Sequence, residues 1–583
     1  MSGLTEAEPP RSLLGGGRWF AQVLTTEWLL FGASFVALFY LAGVPLLMLL
    51  YGAFSSAPIG EPSARFTFDN FLTAYLDWEF YVLLLNSIHF SVGTCIVSFA
   101  IGTFLAWVSE RTNTPLRKLF MLMALVPFII PGVLSTMSWI LLLSPRIGLI
   151  NVGLMELFGL ENAPFNIYSM TGMIWAESIH GYPLVFLLMS AAFRNMDTSL
   201  EEAALASGSG TWMSFRRITL PLMRPAVFSV LLITFIRAIE SFEAAALIGL
   251  PARISVMTTK IYLAVHQFPS DFGLAGAYGV TLLIISAVGI SLYARITRRE
   301  ERYATITGKN YRPRVIDLGW MKYPVCGIAV AIFTVSVVLP LGVLIWSSLI
   351  PYYAMPSAEL VEKMSFDSYR HILANPLAAT AFSNSFVLAI GSATAIMLMT
   401  SVIAWITIKT KLPGRSLLDH LTFIPIAIPG IVLGISLLWV YLTLPIPIYG
   451  TLWVLLAAYI TKFMPYGIRA TSASMIQINK ELEEASNSSG AGWFYTFRRV
   501  ILPLLMPGFV AGWIFISIVS LRELSTSILL YSFDNIVLSV LVFDLWESGE
   551  YSPVCALGVL MVLLLIVMAT VARSLGARIG VVQ

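Results

Sequence analysis

A polar segment occurs twice in this otherwise hydrophobic chain, and that repetition constrains the fold more than any other feature. The copies read LEEAALASGSGTWMSFRRITLPLMRPA over residues 200–226 and LEEASNSSGAGWFYTFRRVILPLLMPG over residues 482–508. Equivalent residues in these two repeat segments are 282 positions apart, as are Glu202 and Glu484. Two such segments at a fixed offset indicate a chain built from two homologous halves.

The duplication extends upstream of the repeat segments, where equivalent residues are 298 positions apart. At this offset Trp107 matches Trp405, and Pro131 matches Pro429. The offset then falls from 298 to 282, so the second half has lost 16 residues between these matches and its repeat segment. The first half carries them around residues 144–165, whereas the second has only a short LPIPIYG turn. The halves are therefore expected to differ on the outer face.

Composition places the chain in a bilayer. Hydrophobic residues make up 58% of the sequence and charged residues only 11%, whereas soluble domains carry about 25% charged residues. The net charge of +3 gives no argument for nucleic-acid binding. Three cysteines lie far apart in apolar stretches and are interpreted as small buried hydrophobic residues, so neither a disulfide framework nor a metal site is predicted.

Six spans are predicted in each half, because a helix crossing the hydrocarbon core needs about 20 apolar residues. In the first half they lie near 28–53, 81–109, 117–143, 166–193, 222–250 and 273–296. In the second they lie near 322–350, 379–408, 416–444, 450–472, 504–531 and 553–575. The predicted domains are an N-terminal tail at 1–27, a first half at 28–296, a linker at 297–321 and a second half at 322–583.

Orientation follows from the distribution of Lys and Arg, which concentrate in cytoplasmic loops. One face carries clusters around Arg111, Arg216, Arg299, Lys409 and Arg498, and the opposite loops are acidic. The basic face is predicted to be cytoplasmic. The N-terminal tail, with Arg11 and Arg18, is predicted to lie on the same face without a cleavable signal peptide.

Each repeat segment is predicted to fold as a short helix, a tight turn and a second helix that enters the membrane. In the first copy an apolar edge at helical spacing precedes Gly208, and glycine favours the left-handed backbone that ends a helix. The result would be a helical projection on the cytoplasmic face, spanning about 195–221 in the first half and 477–503 in the second. An amphipathic helix lying on lipid headgroups is the alternative, although it would favour more basic residues.

The repeat segments resemble the EAA signature of bacterial ABC importer permeases. The first carries Glu202, Ala203 and Ala204, then Gly208, and ends in Ile218, Leu220 and Pro221. The second keeps Glu484, Ala485, Gly490, Leu502 and Pro503, but has Ser486 and Val500 in place of an alanine and the isoleucine. With two halves fused in one chain, the protein resembles the ferric iron importer permeases and their relatives for other small solutes.

That resemblance implies an all-α membrane protein of the type I ABC importer class, in the bacterial inner membrane. The residues expected to couple it to ATPase subunits are Glu202, Ala203, Ala204, Gly208, Glu484, Ala485 and Gly490. It also implies two ATPase copies on the cytoplasmic face and an extracytoplasmic solute-binding protein. Because the chain has no G-x-x-x-x-G-K loop, ATP and Mg²⁺ are expected on the partner subunits, with no cofactor or enzymatic site in this chain.

Ionisable residues within spans are costly and mark candidate pathway positions. The candidates are Glu177, Arg237, Glu240, Glu243, Arg522 and Glu523, with His180 and Lys462 as further polar groups. Arg237, Glu240 and Glu243 follow one another at intervals of three residues and are expected on one helix face. Glu240 and Arg522 occupy equivalent positions in the two halves, which would permit an ion pair between the halves. Structural pairing is the alternative role. The prolines of Pro127–Pro131 and Pro425–Pro429 are expected either to line a pathway or to form packing kinks.

The function predicted from these features is an alternating-access pathway for a small solute. Ferric iron is the first candidate; a small organic or phosphorylated anion (phosphonate, thiamine or carboxylate) or a polyamine is the second. Two functions of other classes remain: an ion-coupled secondary transporter, which also uses internal repeats, and a receptor or scaffold subunit. Neither of these requires matched cytoplasmic projections in both halves.

Overall fold

The computed structural model describes residues 26–57, 61, 64–124, 126–196, 199–300 and 315–578. Within these ranges the protein is helical, and two isolated β-bridges are the only strand-like pairings. Residues 1–25 of the predicted tail, with Arg11 and Arg18, and residues 301–314 of the predicted linker lie outside the described residues. The all-α prediction is confirmed.

Among its described residues the first half contains one short π-helix, Ala245–Gly249, and twelve further helices that are numbered here. They are α1 Thr26–Ala53, α2 Asp69–Leu76, α3 Trp78–Arg111, α4 Arg117–Ile129, α5 Gly132–Leu143, α6 Leu149–Phe158, α7 Met170–Asn195, α8 Ser199–Ala206, α9 Thr211–Ser214, α10 Arg216–Ile239, α11 Met257–His266 and α12 Phe272–Glu300.

The second half repeats this order with small differences. Its described helices are α13 Gly319–Leu349, α14 Ala358–Glu362, α15 Asp367–Ala374, α16 Pro376–Lys409, α17 Arg415–Ala427, α18 Gly430–Thr443, α19 Leu452–Gln477, α20 Lys480–Ser488, α21 Trp493–Leu521, α22 Ser527–Leu530, α23 Leu538–Glu547 and α24 Tyr551–Arg578.

Eight of the described helices are long and apolar enough to cross a membrane, and two bent helix pairs raise the number to ten. The helices α7 and α19, each of 26 residues, occupy the positions of the predicted fourth and tenth spans. Neither is among the eight helices that are long and apolar enough to cross a membrane, and both contribute residues to the internal cavity described below. The α6 helix fills the extra outer loop of the first half, as the offset change predicts.

The third span of each half is broken rather than continuous. Helices α4 and α5 meet at 96°, and α17 and α18 meet at 111°. Pro131 and Pro429 stand at the two breaks with extended backbone, at ψ 141° and 144°. A proline lacks the N–H that would continue a helix, so the chain turns sharply there and a new helix begins at Gly132 and Gly430.

The predicted fifth and eleventh spans are too long at their C-terminal ends. Helix α10 ends at Ile239 and α21 at Leu521, not at 250 and 531. The residues that follow each helix include polar ones that face an internal cavity, among them Glu240 and Arg522. The prediction that Arg237, Glu240 and Glu243 share one helix face is therefore wrong for Glu243, which lies beyond the helix.

The first helix of each half packs against the other half. On one side, the Tyr40 hydroxyl of α1 donates to the Tyr441 hydroxyl of α18 at 3.1 Å, and Thr461 donates to the Leu41 carbonyl at 3.0 Å. On the other, Ser336 of α13 lies 3.0 Å from the Tyr182 hydroxyl of α7. This reciprocal exchange joins the halves into one bundle.

Candidate functional site

The two repeat segments adopt matching backbone conformations. Helices α8 and α20 end before glycines with φ of +83° at Gly208 and +82° at Gly490. The Ser209 N–H donates to the Ala204 carbonyl at 3.0 Å, and the Ala491 N–H donates to the Ser486 carbonyl at 3.2 Å. Each turn then feeds a short helix leading to the next span, so the predicted helix, turn and helix is confirmed in both halves.

The residues that the signature singles out lie on the surface of these segments. Most are exposed, and Ala204 is half-buried; they are Glu202, Ala203, Ala204, Gly208, Glu484, Ala485 and Gly490. A Cβ atom at Gly208 or Gly490 would meet nothing within 4 Å. Among the described residues neither Glu202 nor Glu484 has a hydrogen-bond or ion-pair partner, so both carboxylates remain available for another protein.

A cavity of about 280 Å³ lies between the halves. Every intramembrane pathway candidate lines it: Glu177, Arg237, Glu240, Glu243, Arg522 and Glu523, and so do His180 and Lys462. Residues at the two helix breaks contribute to the wall as well, among them Phe128, Gly132, Pro425 and Gly430. Of the prolines at the two breaks, Pro425 lines the cavity, whereas Pro131 and Pro429 stand at the bends themselves, so both expected roles are represented.

The second-half wall contains a closed ion pair. The Lys462 Nζ donates to Glu523 Oε1 at 2.6 Å, and also to the hydroxyls of Ser525 and Thr526 at 3.1 and 3.3 Å. The same carboxylate oxygen accepts from the Thr526 N–H at 2.9 Å. A buried pair survives when hydrogen bonds satisfy its remaining atoms. This wall therefore carries little uncompensated charge at Lys462 and Glu523.

The first-half wall is less completely paired. Ser241 donates to Glu177 at 2.7 Å, but among the described residues Nδ1 of His180 and Oε1 of Glu240 are buried without a hydrogen-bond partner. A Cβ at Gly132 would lie 3.4 Å from His180 Nε2 and 3.5 Å from the carboxyl carbon of Glu243. The glycine at the helix break thus lets both side chains approach the start of α5.

Arg522 contacts the first half, but not Glu240. Its guanidinium donates to the Phe128 carbonyl and stands over the Phe128 ring, 4.4 Å from the centroid. Among the described residues no ion pair joins Arg522 to Glu240, so the expected cross-half pair is wrong for this structure. The broken end of α4 frees a carbonyl that a continuous helix would have used, and Arg522 binds it.

The charged residues of the cavity were recognisable in the sequence, but their aromatic neighbours were not. Phe128, Phe515 and Tyr466 form an aromatic row beside Arg522, with centroid distances of 6.2 Å between the phenylalanines and 5.4 Å from Phe515 to Tyr466. Aromatic residues in apolar spans carry no distinguishing signal. Ser525, by contrast, is equivalent to Glu243 at the offset of 282, so the sequence repeat alone could have identified Ser525 as a residue of the cavity wall.

Comparison with known proteins gives matches to both halves. The family described as "Binding-protein-dependent transport system inner membrane component" matches residues 98–302 and again residues 401–581. The ferric transport system permease protein FbpB of Actinobacillus pleuropneumoniae is 25% identical over 485 residues, covering 82% of this chain and 69% of that protein. The Fe(3+)-transport system permease protein FbpB 2 of Haemophilus influenzae is 24% identical over 484 residues, covering 82% and 87%.

Among solved structures, a bacterial ABC transporter involved in the import of the acidic polysaccharide alginate matches with a TM-score of 0.41 and 22% sequence identity. The match covers 48% of this chain and 99% of that one.

Proposed function

The chain belongs to the family of binding-protein-dependent transport system inner membrane components, and we propose that it forms the pathway by which ferric iron enters the cell. Family membership makes it a multi-pass permease subunit of an importer and not itself an enzyme. The proposal adds the solute, the partners and the residues that serve each.

Matched repeat segments, exposed on both halves, are the observation that carries the proposal. Each presents a carboxylate, Glu202 or Glu484, that has no partner within the described part of the chain, beside small residues that let another protein surface approach closely. Two equivalent surfaces suit two copies of one partner, and the resemblance of these segments to the EAA signature makes that partner an ATPase. ATP and Mg²⁺ would then bind the ATPase subunits, with the N-terminus of this chain on the same cytoplasmic face.

The cavity between the halves supplies the pathway. Its wall combines carboxylates, a histidine and two cationic side chains from the second half, Lys462 and Arg522. Ionisable groups are retained within a membrane where they serve a pathway or pair with one another. In the proposed mechanism the closing and opening of two ATPases would move the halves and expose this cavity alternately to either side of the membrane.

Ferric iron is the proposed solute because the two most extensive relatives described above carry ferric or Fe(3+) transport in their names and cover four-fifths of this chain. The second candidate is a small organic or phosphorylated anion such as a phosphonate. In either case the solute would arrive on an extracytoplasmic binding protein.

The test is transport by the complete system in liposomes, with ATPase and binding protein. We expect ferric iron uptake that requires internal ATP and the binding protein, and that persists when ionophores collapse ion gradients. Uptake of a phosphonate but not of ferric iron would replace the solute. Loss of uptake on ionophore addition, without any ATP requirement, would contradict the importer and support an ion-coupled transporter.

A further inference from the structure

The two repeat segments are attached to the bundle by different chemistry. We propose that Glu110 and Arg111, the last two residues of α3, are positioning residues that transmit movement of the first repeat segment to the transmembrane bundle. Within its described residues the second half has no equivalent pair of charged contacts. The inference rests on the proposed function, in which both repeat segments dock ATPase subunits.

Arg111 holds the first repeat segment through a buried ion pair. Its guanidinium donates to Glu201 Oε2, and the side chains are 3% and 9% exposed. Thr219 donates to the other carboxylate oxygen of Glu201 at 2.5 Å. Glu201 belongs to α8, and Thr219 lies at the start of α10. One carboxylate therefore connects the end of α3 to both arms of the repeat segment.

Glu110 holds the chain just before the same segment. Arg194, near the C-terminal end of α7, donates from Nη2 to Glu110 Oε1 at 2.5 Å and from Nε to Oε2 at 3.4 Å. A forked guanidinium on a carboxylate fixes orientation as well as distance. Consecutive residues of α3 thus bind the C-terminal end of α7 and the start of the first repeat segment.

The second half has none of these ion pairs at the equivalent positions. Glu110 and Arg194 are replaced by Ile408 and Ile476. Lys409, equivalent to Arg111, donates instead to the Ile478 carbonyl. Glu483, equivalent to Glu201, accepts from the Trp405 indole N–H at 3.2 Å, and its other oxygen has no partner among the described residues.

Aromatic packing replaces the charges in the second half. Trp405 packs edge-on against Trp493 of the repeat segment at 5.3 Å, and Trp493 stacks on Phe497 at 4.9 Å. Ser486 also lies 2.8 Å from Thr496 and joins the two arms of the segment to each other. Apolar ring contacts are less directional than a charged, forked hydrogen bond. The second segment can therefore tilt on its aromatic contacts, whereas the first must carry α3 with it.

Movement of α3 reaches the cavity directly. The helix runs from Trp78 to Arg111, and its Thr94 lines the cavity wall. A displacement of the first repeat segment would pass along one continuous helix to the pathway. Arg111 and Glu110 would therefore determine how much ATP-driven movement becomes transport, without contacting solute or ATP.

The experiment measures ferric iron taken up per ATP hydrolysed by the complete transporter in liposomes. We expect Arg111→Met to lower this ratio at least tenfold, with ATPase subunits still bound on co-purification. Lys409→Met, the matched control, should change it less than twofold, and Arg111→Lys should recover part of it. Because Arg194 is 55% exposed, Arg194→Met is expected to fold normally and to lower the ratio about threefold.

Three other outcomes would contradict the inference, and a fourth would contradict the proposed function. The inference would be overturned if Arg111→Met and Lys409→Met gave equal ratios of uptake to ATP hydrolysis. If Arg111→Met fails to fold, a wild-type ratio for Arg194→Met would overturn it instead. Loss of ATPase binding in Arg111→Met would also overturn it, because Arg111 would then serve docking itself. Wild-type liposomes without ATP-driven uptake would instead reject the proposed function.

Discussion

Equivalent positions in the two halves meet at one cavity with different charges. At four equivalent positions the two halves carry different residues: His180 corresponds to Lys462, Glu240 to Arg522, Ser241 to Glu523, and Glu243 to Ser525. The second half forms a closed ion pair from its set, whereas the first half leaves a buried oxygen of Glu240 and a ring nitrogen of His180 without hydrogen bonds among the described residues.

The framework around these positions has diverged far less. Asn86 donates to the Ser255 carbonyl at 3.0 Å, and Asn384 donates to the Ile536 carbonyl at the same distance. Side-chain contacts to backbone groups keep the helices in register in both halves. Duplicated halves can thus carry different charges at a shared cavity while the backbone framework around it is retained.

The largest expected effect comes from opening the ion pair that only the second half possesses. Lys462→Met leaves the Glu523 carboxylate, 8% exposed, without its cation, which costs about 3–5 kcal/mol. We expect a large fall in the thermal unfolding midpoint in detergent. His180→Met, at the equivalent position, should cost much less, and Lys462→Met/Glu523→Gln should recover most of the loss. Equal costs at His180 and Lys462 would show that the walls do not differ.

The next effect tests what the halves share. Val at Gly208 or Gly490 must adopt a left-handed backbone, which costs about 1–2 kcal/mol in a residue with a Cβ. We expect each variant to insert normally and the ATPase subunits to keep hydrolysing ATP, with uptake reduced several-fold. Gly549→Val, at φ +79° outside the repeat segments, is the control for strain alone. Unchanged uptake in both repeat-segment variants would contradict their role in docking.

A smaller effect separates the two attachments of the repeat segments. Trp405→Phe keeps an aromatic ring but removes the indole N–H that binds Glu483, a loss of about 1 kcal/mol. Trp107→Phe, the equivalent change in the first half, removes no such hydrogen bond to Glu201. Unfolding midpoints of the two variants give the comparison, and a larger loss at Trp107 would reverse the assignment.

Whether the effects of two substitutions on stability add tests whether Arg522 interacts with Glu240. Because Arg522 binds Phe128 and forms no ion pair with Glu240, the effects of Glu240→Gln and Arg522→Gln on stability should add to within about 0.5 kcal/mol. A double-mutant cycle on the unfolding midpoint measures this. A coupling of several times that size would restore the cross-half ion pair as the dominant contact.

The smallest effect concerns Asp317, in the described part of the predicted linker, which binds Asn113 of the first half. Hydrogen bonds from the Gly319 N–H and from the Asn113 amide lower the pKa of Asp317. A lowered folded-state pKa gives stability that is present above the ordinary carboxyl pKa and lost as pH falls through the lowered value. We expect slower hydrogen exchange at the Gly319 amide than in Asp317→Asn at neutral pH, and a difference that vanishes in acid.

The duplication, the all-helical membrane fold, the two repeat segments and the intramembrane positions that line the cavity can all be predicted from the amino-acid sequence. These follow from local signals, namely hydropathy, helical spacing and a glycine that ends a helix. It also placed Glu240 and Arg522 at equivalent positions, and that symmetry suggested a pairing that the structure does not form.

The partners of the charged residues depend instead on how the helices are arranged in three dimensions. The bends of 96° and 111° at Pro131 and Pro429 turn helix starts and a free carbonyl toward the cavity, and the angle of a break cannot be read from a proline alone. Arg111 counted in the sequence only as a basic residue near a span end, although it lies against Glu201, 90 residues away. Hydropathy depends on neighbours in sequence, whereas an ion pair depends on neighbours in space, which folding alone brings together.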